Sequence, residues 1–287
     1  MASDTLTVHA PIHLRITEAS RVALYVGDTE LTPVSFAEAK QYYGERLHRV
    51  VFSRMPRDVS LFETETNTIF IVPVSDSMLP ILSRALKTWR QTRIVFELTP
   101  NDKLLRMMNY LTAAGFPVRL SISAVQENID LLLRCLDFYL HNQTLSVPMD
   151  PFHSLFAAAC AGRRLTFWTI ESEDPNRDIF IDAAGQIGPS AGLIDAGYRY
   201  GTLDDSYGKA LDSKMRHQLR AVVARPEAHH PGCKKCAIVD RCRGYLALHG
   251  GISACDMWRE VCRRIDVESL KIQDIVMKLR AEEPNDA

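Results

Sequence analysis

Residues 93–123 read RIVFELTPNDKLLRMMNYLTAAGFPVRLSIS. The stretch opens with a β-rich run, Arg93–Leu98, and closes with another, Val118–Ser123. Between them, Asn101–Ala114 carries Leu104, Leu105, Met108 and Leu111 at helical spacing, followed by Gly115. Steps of three and four residues place those apolar side chains on one helix face. Glycine tolerates the left-handed conformation in which helices end. A strand, a helix and a strand in this order predict a parallel pair, because the crossover helix returns the chain to the end at which it started.

The alternation extends in both directions, from about residue 11 to 170. Further strand candidates are Ile12–Thr17, Arg49–Ser53, Thr68–Pro73, Leu145–Pro148 and Leu165–Thr169. Helix candidates are Ser35–Leu47, which opens with the capping pattern Ser-Phe-Ala-Glu, then Ser75–Trp89, and Asn128–Leu140 with Ile129, Leu132, Leu133, Leu136 and Leu140 on one face. The fold class is therefore α/β, with a mainly parallel sheet. The number of strands fits a partial (β/α) barrel, and periodicity alone leaves a doubly wound sheet as the alternative.

After Ile170 the alternation stops. Ile179–Asp182, then Ala-Ala-Gly185, then Gln186-Ile187 predicts a hairpin. A helix is expected near Ala210–Val223. A last amphipathic helix carries Ile265, Val267, Leu270, Ile275, Val276 and Leu279, and the residues from 282 on look frayed. These shifts divide the chain into 1–170, a barrel-like part; 171–264, a small second part; and 265–287, a helix and tail.

Composition excludes several classes. Of 287 residues, 46% are hydrophobic and 24% charged, an ordinary globular balance. With 34 Lys+Arg against 35 Asp+Glu, nothing draws the chain generally to nucleic acid or to an anionic membrane. No apolar run approaches a membrane span, and MASDTLTVHAPIHL lacks the pattern of a secretory signal, so a cytoplasmic location is expected. No Ser/His/Asp grouping, phosphate-cradling Gly-rich loop or basic-aromatic interleaving stands out, and no catalytic residue is assigned. Glu97, after the strand Arg93–Phe96, would point into a barrel mouth or end in solvent. Asp150-Pro-Phe-His153 would place a histidine at a pocket mouth or simply start a helix.

The cysteines are unevenly placed. Cys135 and Cys160 sit in apolar surroundings and read as buried structural thiols. Cys233, Cys236, Cys242, Cys255 and Cys262 fall in one short segment. In a reducing compartment such a cluster points to a metal site rather than to disulfides. Cys233-x2-Cys236 turns two sulfurs toward one centre, Cys242 adds a third, and Cys255 and Cys262 compete as the fourth ligand. Four thiolates suit zinc or an iron–sulfur cluster equally. Lys234, Lys235, Arg241 and Arg243 would offset the charge. His229, His230 and His249 are alternative ligands, better suited to a surface or supporting role.

Residues 179–262 resemble the SPASM domain, the C-terminal extension of radical S-adenosylmethionine (radical SAM) enzymes that modify peptides. The resemblance rests on Phe180-Ile-Asp-Ala-Ala-Gly185-Gln-Ile, on Tyr200-Gly-Thr-Leu-Asp-Asp205 followed by Leu211-Asp-Ser-Lys-Met, and on Cys233-x2-Cys236-x5-Cys242-Arg-Gly244. It implies auxiliary four-iron, four-sulfur clusters. Ser190 and Leu246 stand where cysteines of the first auxiliary cluster would be, so one cluster is implied, on Cys233, Cys236, Cys242 and, preferably, Cys255.

The resemblance is weaker over 11–170. Ile16-Thr-Glu-Ala-Ser20-Arg-Val-Ala-Leu24-Tyr-Val-Gly27 is similar to the family's catalytic-cluster motif with Ser20, Leu24 and Gly27 in the ligand positions. Val51-Phe52-Ser53-Arg-Met-Pro56 is similar to its FSGGEP segment with the Gly-Gly-Glu lost. The resemblance implies a degenerate radical SAM fold that cleaves no S-adenosylmethionine and is not an enzyme by itself. Its partners would be an active radical SAM enzyme and a ribosomally made precursor peptide. The alternatives are an electron relay through the cluster, or a zinc-stapled α/β protein with an activity of its own.

Overall fold

The computed structural model describes residues 6–282, apart from 12–13, 15–18, 20, 27–30, 55, 57–61, 63–66, 75–88, 90–92, 124–127, 206 and 250. Its centre is a 10-stranded sheet in the order β10-β9-β8-β1-β2-β3-β4-β5-β6-β7. The strands are β1 (Thr7–Pro11), β2 (Arg21–Val26), β3 (Leu47–Phe52), β4 (Ile69–Val74), β5 (Ile94–Leu98), β6 (Val118–Leu120), β7 (Met149–Asp150), β8 (Asp178–Ile181), β9 (Gln186–Gly188) and β10 (Gly201–Thr202).

From β1 to β7 each strand is parallel to the next and lies beside it in sequence order. Right-handed crossovers along a sheet that never reverses its order keep the helices on one side. A doubly wound sheet needs a reversal, and there is none between β1 and β7. The architecture is α/β with one mostly parallel, singly wound sheet, and it is compatible with a partial barrel.

The two sheet faces differ chemically. Val8, Leu24, Val50, Phe70, Phe96 and Val118 are fully or almost fully buried on one face. This is the helix side: Phe36 of α1 (Pro33–Tyr43) lies 5.8 Å from Phe70, and Phe116, just past α2 (Leu104–Ala113), lies 5.3 Å from Phe96, ring centre to ring centre. The alternate positions carry His9, Arg49, Glu97 and Arg119. A parallel sheet packed on both faces would be apolar throughout its strands; polar residues here mean that the second face borders a cavity.

Several expectations are corrected. The first strand is not Ile12–Thr17. Strands form at Thr7–Pro11 and Arg21–Val26, Leu14 is coil, and the rest of 12–17 lies outside the described residues. The cap of α1 is Thr32, whose hydroxyl accepts from Ser35 N–H while Ser35 Oγ accepts from Thr32 N–H, so the capping box starts three residues earlier than expected. Leu165–Thr169 is not a strand: Thr166 caps the short helix α5 (Phe167–Glu171), for so short an apolar run does not distinguish the two. Leu145–Pro148 is the link to β7, following a turn in which Asn142 Oδ1 accepts from Thr144 N–H. The expected helix Ser75–Trp89 lies outside the described residues except for Trp89, which is buried.

Other elements form as expected. Gly115 follows α2 with φ 87°. Asn128 caps α3 (Ile129–His141), and α4 (Phe152–Cys160) follows β7, with Asp150 Oδ1 accepting from Ser154 N–H at 3.1 Å and Oγ–H at 2.6 Å. The β8–β9 hairpin closes around Asp182, whose carboxylate accepts from Ala184 and Gln186 N–H at 2.9 and 2.8 Å. Because β8 pairs with β1, the sheet continues across residue 170.

Farther along come α6 (Ala191–Asp195), α7 (Lys214–Ala224) and α8 (Gly251–Glu282). The last helix starts well before Ile265 and so includes both Cys255 and Cys262. Its face of Ala254, Trp258, Val261 and Ile265 is buried. Gln273 Nε2 donates to the carbonyls of Ala159 and Cys160 at 3.1 and 2.9 Å, joining α8 to the end of α4. Past that point the expected apolar face is not covered by the described residues: Ile275, Val276 and Leu279 are exposed, as are Val267 and Leu270. No described helix is long and apolar enough to cross a membrane.

Candidate metal centre

The cysteine segment folds by local turns. Cys233 lies in a 3-10 turn, Pro231–Lys235, and Cys236 N–H donates to Cys233 C=O at 3.1 Å, doubling the chain back. Cys242 ends the short helix Val239–Cys242. The chain then leaves through two left-handed residues, Arg243 with φ 48° and Gly244 with φ 79°. A Cβ on Gly244 would lie 2.9 Å from Val222 Cγ1 of α7, so glycine is required both by conformation and by space. Trp168 Nε1 of α5 donates to Arg243 C=O at 3.0 Å, fixing this turn against the body of the protein.

Cys233, Cys236, Cys242 and Cys255 line one cavity of about 350 Å³, together with His230 and Arg259. Cys262 does not line it; it is fully buried in the core. The two competitors lie two turns apart on α8, about 10 Å along the axis at the usual helical rise, so one centre selects one of them. Leu246 N–H points at Cys242 Sγ at 3.5 Å, an interaction that stabilises a thiolate. Leu246, where a further cysteine was sought, thus serves the site through its backbone. His230 Nε2 is buried without a partner among the described residues, at the wall of the same cavity.

Burial raises the Cys242 thiol to about 12, and those of Cys233 and Cys255 above the ordinary value. Cys262 rises to about 11 for the same reason. Metal binding must therefore displace protons, and affinity must increase with pH. Arg241 pairs with Asp266 and Arg243 with Asp240 at 3.3 Å, so these two cations are committed elsewhere. Lys234 and Lys235 are exposed, and Arg259, which lines the cavity, is itself paired with Asp256 at 2.6 Å. His249 lies 3.0 Å from Glu173 and His229 is exposed.

Among the described residues, no three His, Cys, Asp or Glu side chains are gathered tightly enough to hold one ion. A tetrahedral zinc with Zn–S bonds of about 2.3 Å needs its sulfurs within about 4 Å of one another. Zinc or an iron–sulfur cluster would draw on the same four thiols.

A second set of polar residues lies on the open face of the sheet. Arg49, Glu97, Arg119, Ser121, Glu171 and Ser172 border a cavity of about 240 Å³. Arg119 donates to Glu171 at 2.8 Å and approaches Glu97 at 3.8 Å. Glu171 also accepts from Ile122 N–H at 2.8 Å and Ser121 Oγ at 3.2 Å. Burial raises the Glu171 carboxyl, against the pull of Arg119 and Ile122 N–H. Glu97 does face this cavity. Arg49, Arg119 and Glu171 were not singled out from sequence, although charged residues at alternate positions of apolar strands were the available signal. His153 is elsewhere, 3.3 Å from Tyr139 Oη.

No protein-family model matches the chain, and neither does any curated protein.

Proposed function

We propose that the protein is a non-catalytic, SPASM-like partner of an active radical SAM peptide-modifying enzyme, carrying one four-iron, four-sulfur cluster on Cys233, Cys236, Cys242 and Cys255. The observation that carries this reading is the shared cavity of those four cysteines, reached through the Cys242-Arg-Gly244 turn. Its lining favours Cys255 over Cys262 as the fourth ligand.

The barrel-like part supports the non-catalytic reading after one correction. Leu24 is not in a loop. It lies at the buried centre of β2, paired with Ala10 and Val50, while Ser20 and Gly27 lie outside the described residues. The family's first strand leads into its cluster motif. The strand that precedes α1 here is β2, and the segment between them is Gly27-Asp-Thr-Glu-Leu-Thr32, without a cysteine. The next strand, β3, ends at Phe52 and leads into Ser53-Arg-Met-Pro56, where the Gly-Gly-Glu segment would be. The corrected register still lacks both functional segments.

Anaerobic purification of the wild type and of Cys233→Ala, with iron, sulfide and zinc measured, tests the cluster. About four irons and four sulfides per chain, lost in the variant, are expected. Zinc without sulfide would replace the cluster with a structural staple. Copurification with a radical SAM enzyme and binding of its precursor peptide test the partnership, and cosubstrate cleavage by the isolated chain would overturn it.

A further inference from the structure

Strand pairing brings a row of polar side chains together on the open sheet face. His9 of β1 is beside Ala23 of β2, which is beside Arg49 of β3; one layer away, Glu97 of β5 is beside Arg119 of β6. The small Ala23 leaves room between His9 and Arg49, and the cavity extends over it.

The carboxylates around this cavity already have partners. Glu171 is taken by Arg119, Ile122 N–H and Ser121. Glu173 lies within ion-pair range of His249 Nε2, at 3.0 Å, without a hydrogen bond between them. Asp178, behind His9 at 3.7 Å, accepts from Asp174 N–H at 3.1 Å. Glu97 approaches Arg119 and is the most exposed of the group. Asp150 is held by Ser154.

Arg49 differs. Its Nη1 donates to Ser172 Oγ at 3.0 Å, its Nε is buried with no partner among the described residues, and no described carboxylate oxygen lies within ion-pair distance of it. Burial and the neighbouring Arg119 pull its pKa down to about 10, against the opposite pull of Asp178 and Asp150. Ser172 holds its hydroxyl there from a left-handed backbone with φ 60°, a conformation that is costly for a residue with a side chain and is often retained at functional sites.

We propose that this cavity binds a single carboxylate, anchored by Arg49 with Ser172 at its side. A guanidinium that lines the cavity, its buried Nε–H still without a partner among the described residues, offers the charge-assisted donors that a carboxylate accepts. The surrounding Glu97, Glu171 and Glu173 set the ligand charge. One uncompensated cation among three carboxylates suits a monoanion and disfavours a dianion such as phosphate. A cavity of about 240 Å³ holds a peptide terminus, an acidic side chain or a small free acid, not a nucleotide. The inference is independent of the cysteine cavity and stands whether or not that site holds a cluster.

Calorimetric titration of the full chain tests it with N-acetyl-triglycine, N-acetyl-aspartic acid α-amide and acetate as carboxylates, N-acetyl-triglycine amide as the uncharged control, and inorganic phosphate. At least one carboxylate is expected to bind about tenfold or more tighter than both the amide and phosphate. The tightest of the three tells a peptide terminus from a side chain or a free acid. Arg49→Gln should weaken that binding by at least about tenfold, Arg49→Lys should retain part of it, and the melting temperature of Arg49→Gln should stay level or rise, since an unpaired buried cation is removed. Equal binding of acid and amide, preference for phosphate, undiminished binding by Arg49→Gln, or a failure of that variant to fold would each overturn the proposal.

Discussion

The cysteine cavity and the open-face cavity are built in opposite ways. Cys233, Cys236 and Cys242 are brought together by turns of a few residues, and only Cys255 arrives from another element. Arg49, Glu97, Arg119 and Glu171 come from three strands and a helix, far apart in the chain, and meet because β3, β5 and β6 share one sheet face. The first site is written in spacing and the second in topology. They should also fail differently: the first by loss of the proposed cluster, the second through the stability of the whole sheet.

The largest expected effect separates Cys255 from Cys262. Cys255→Ala should lose essentially all iron and sulfide, whereas Cys262→Ala should retain them and lose about 1–2 kcal/mol of stability from a small core cavity. Metal content beside a urea titration reads both, and the opposite pattern would exchange the two ligands. Next comes Glu171→Gln. It strands Arg119, leaving Glu97 at 3.8 Å as its nearest carboxylate, and should cost about 3 kcal/mol, because a buried cation without its partner is expensive. The denaturation midpoint should fall with metal content unchanged; a change below about 0.5 kcal/mol would show the pair to be solvated.

Gly244→Ala tests how far the turn after Cys242 supports the metal centre. A positive φ together with a Cβ 2.9 Å from Val222 should cost about 2 kcal/mol and reduce metal retention under chelator. Retention equal to wild type would detach the turn from the site.

The smallest effect is in acid. His48 sits at the edge of β3 with Nδ1 3.2 Å from Val22 C=O, and burial, with Arg49 beside it, lowers its pKa from 6.5 to about 4. The unfolded chain takes up this proton first. The contribution is therefore complete above about pH 6.5 and is lost as the pH falls toward 4. Discounted for partial exposure, it amounts to about 1–2 kcal/mol. Comparing wild type with His48→Gln at pH 7 and pH 5 isolates it; a parallel loss in both would assign the acid sensitivity elsewhere.

Legibility followed the range of the interactions. Residues 93–123 declared a strand, a helix and a strand in the right order, because apolar spacing and Gly115 act within a few positions, although the helix starts at Leu104 rather than Asn101 and the second strand ends at Leu120 rather than Ser123. The hairpin around Asp182 was equally clear. Near the N-terminus strands form at Thr7–Pro11 and Arg21–Val26, while all of the expected Ile12–Thr17 but Leu14 lies outside the described residues; runs of five or six residues carry little periodic signal. That shift moved Leu24 from a supposed loop to the centre of β2. Phe167–Glu171 became a helix rather than a strand because Thr166 was available to cap it.

By itself the sequence determined an α/β protein with a parallel sheet, a hairpin near residue 182 and a tight cluster of cysteines, all consequences of local geometry and side-chain chemistry. Tertiary structure alone decided three further things. The sheet keeps one direction of strand order and so opens a polar face. Cys255, not Cys262, meets the other three cysteines, because they lie two turns apart on one helix beside a single cavity. Arg49 has no carboxylate within ion-pair distance among the described residues, because those nearby are drawn to other groups, Glu171 to Arg119 and Asp150 to Ser154.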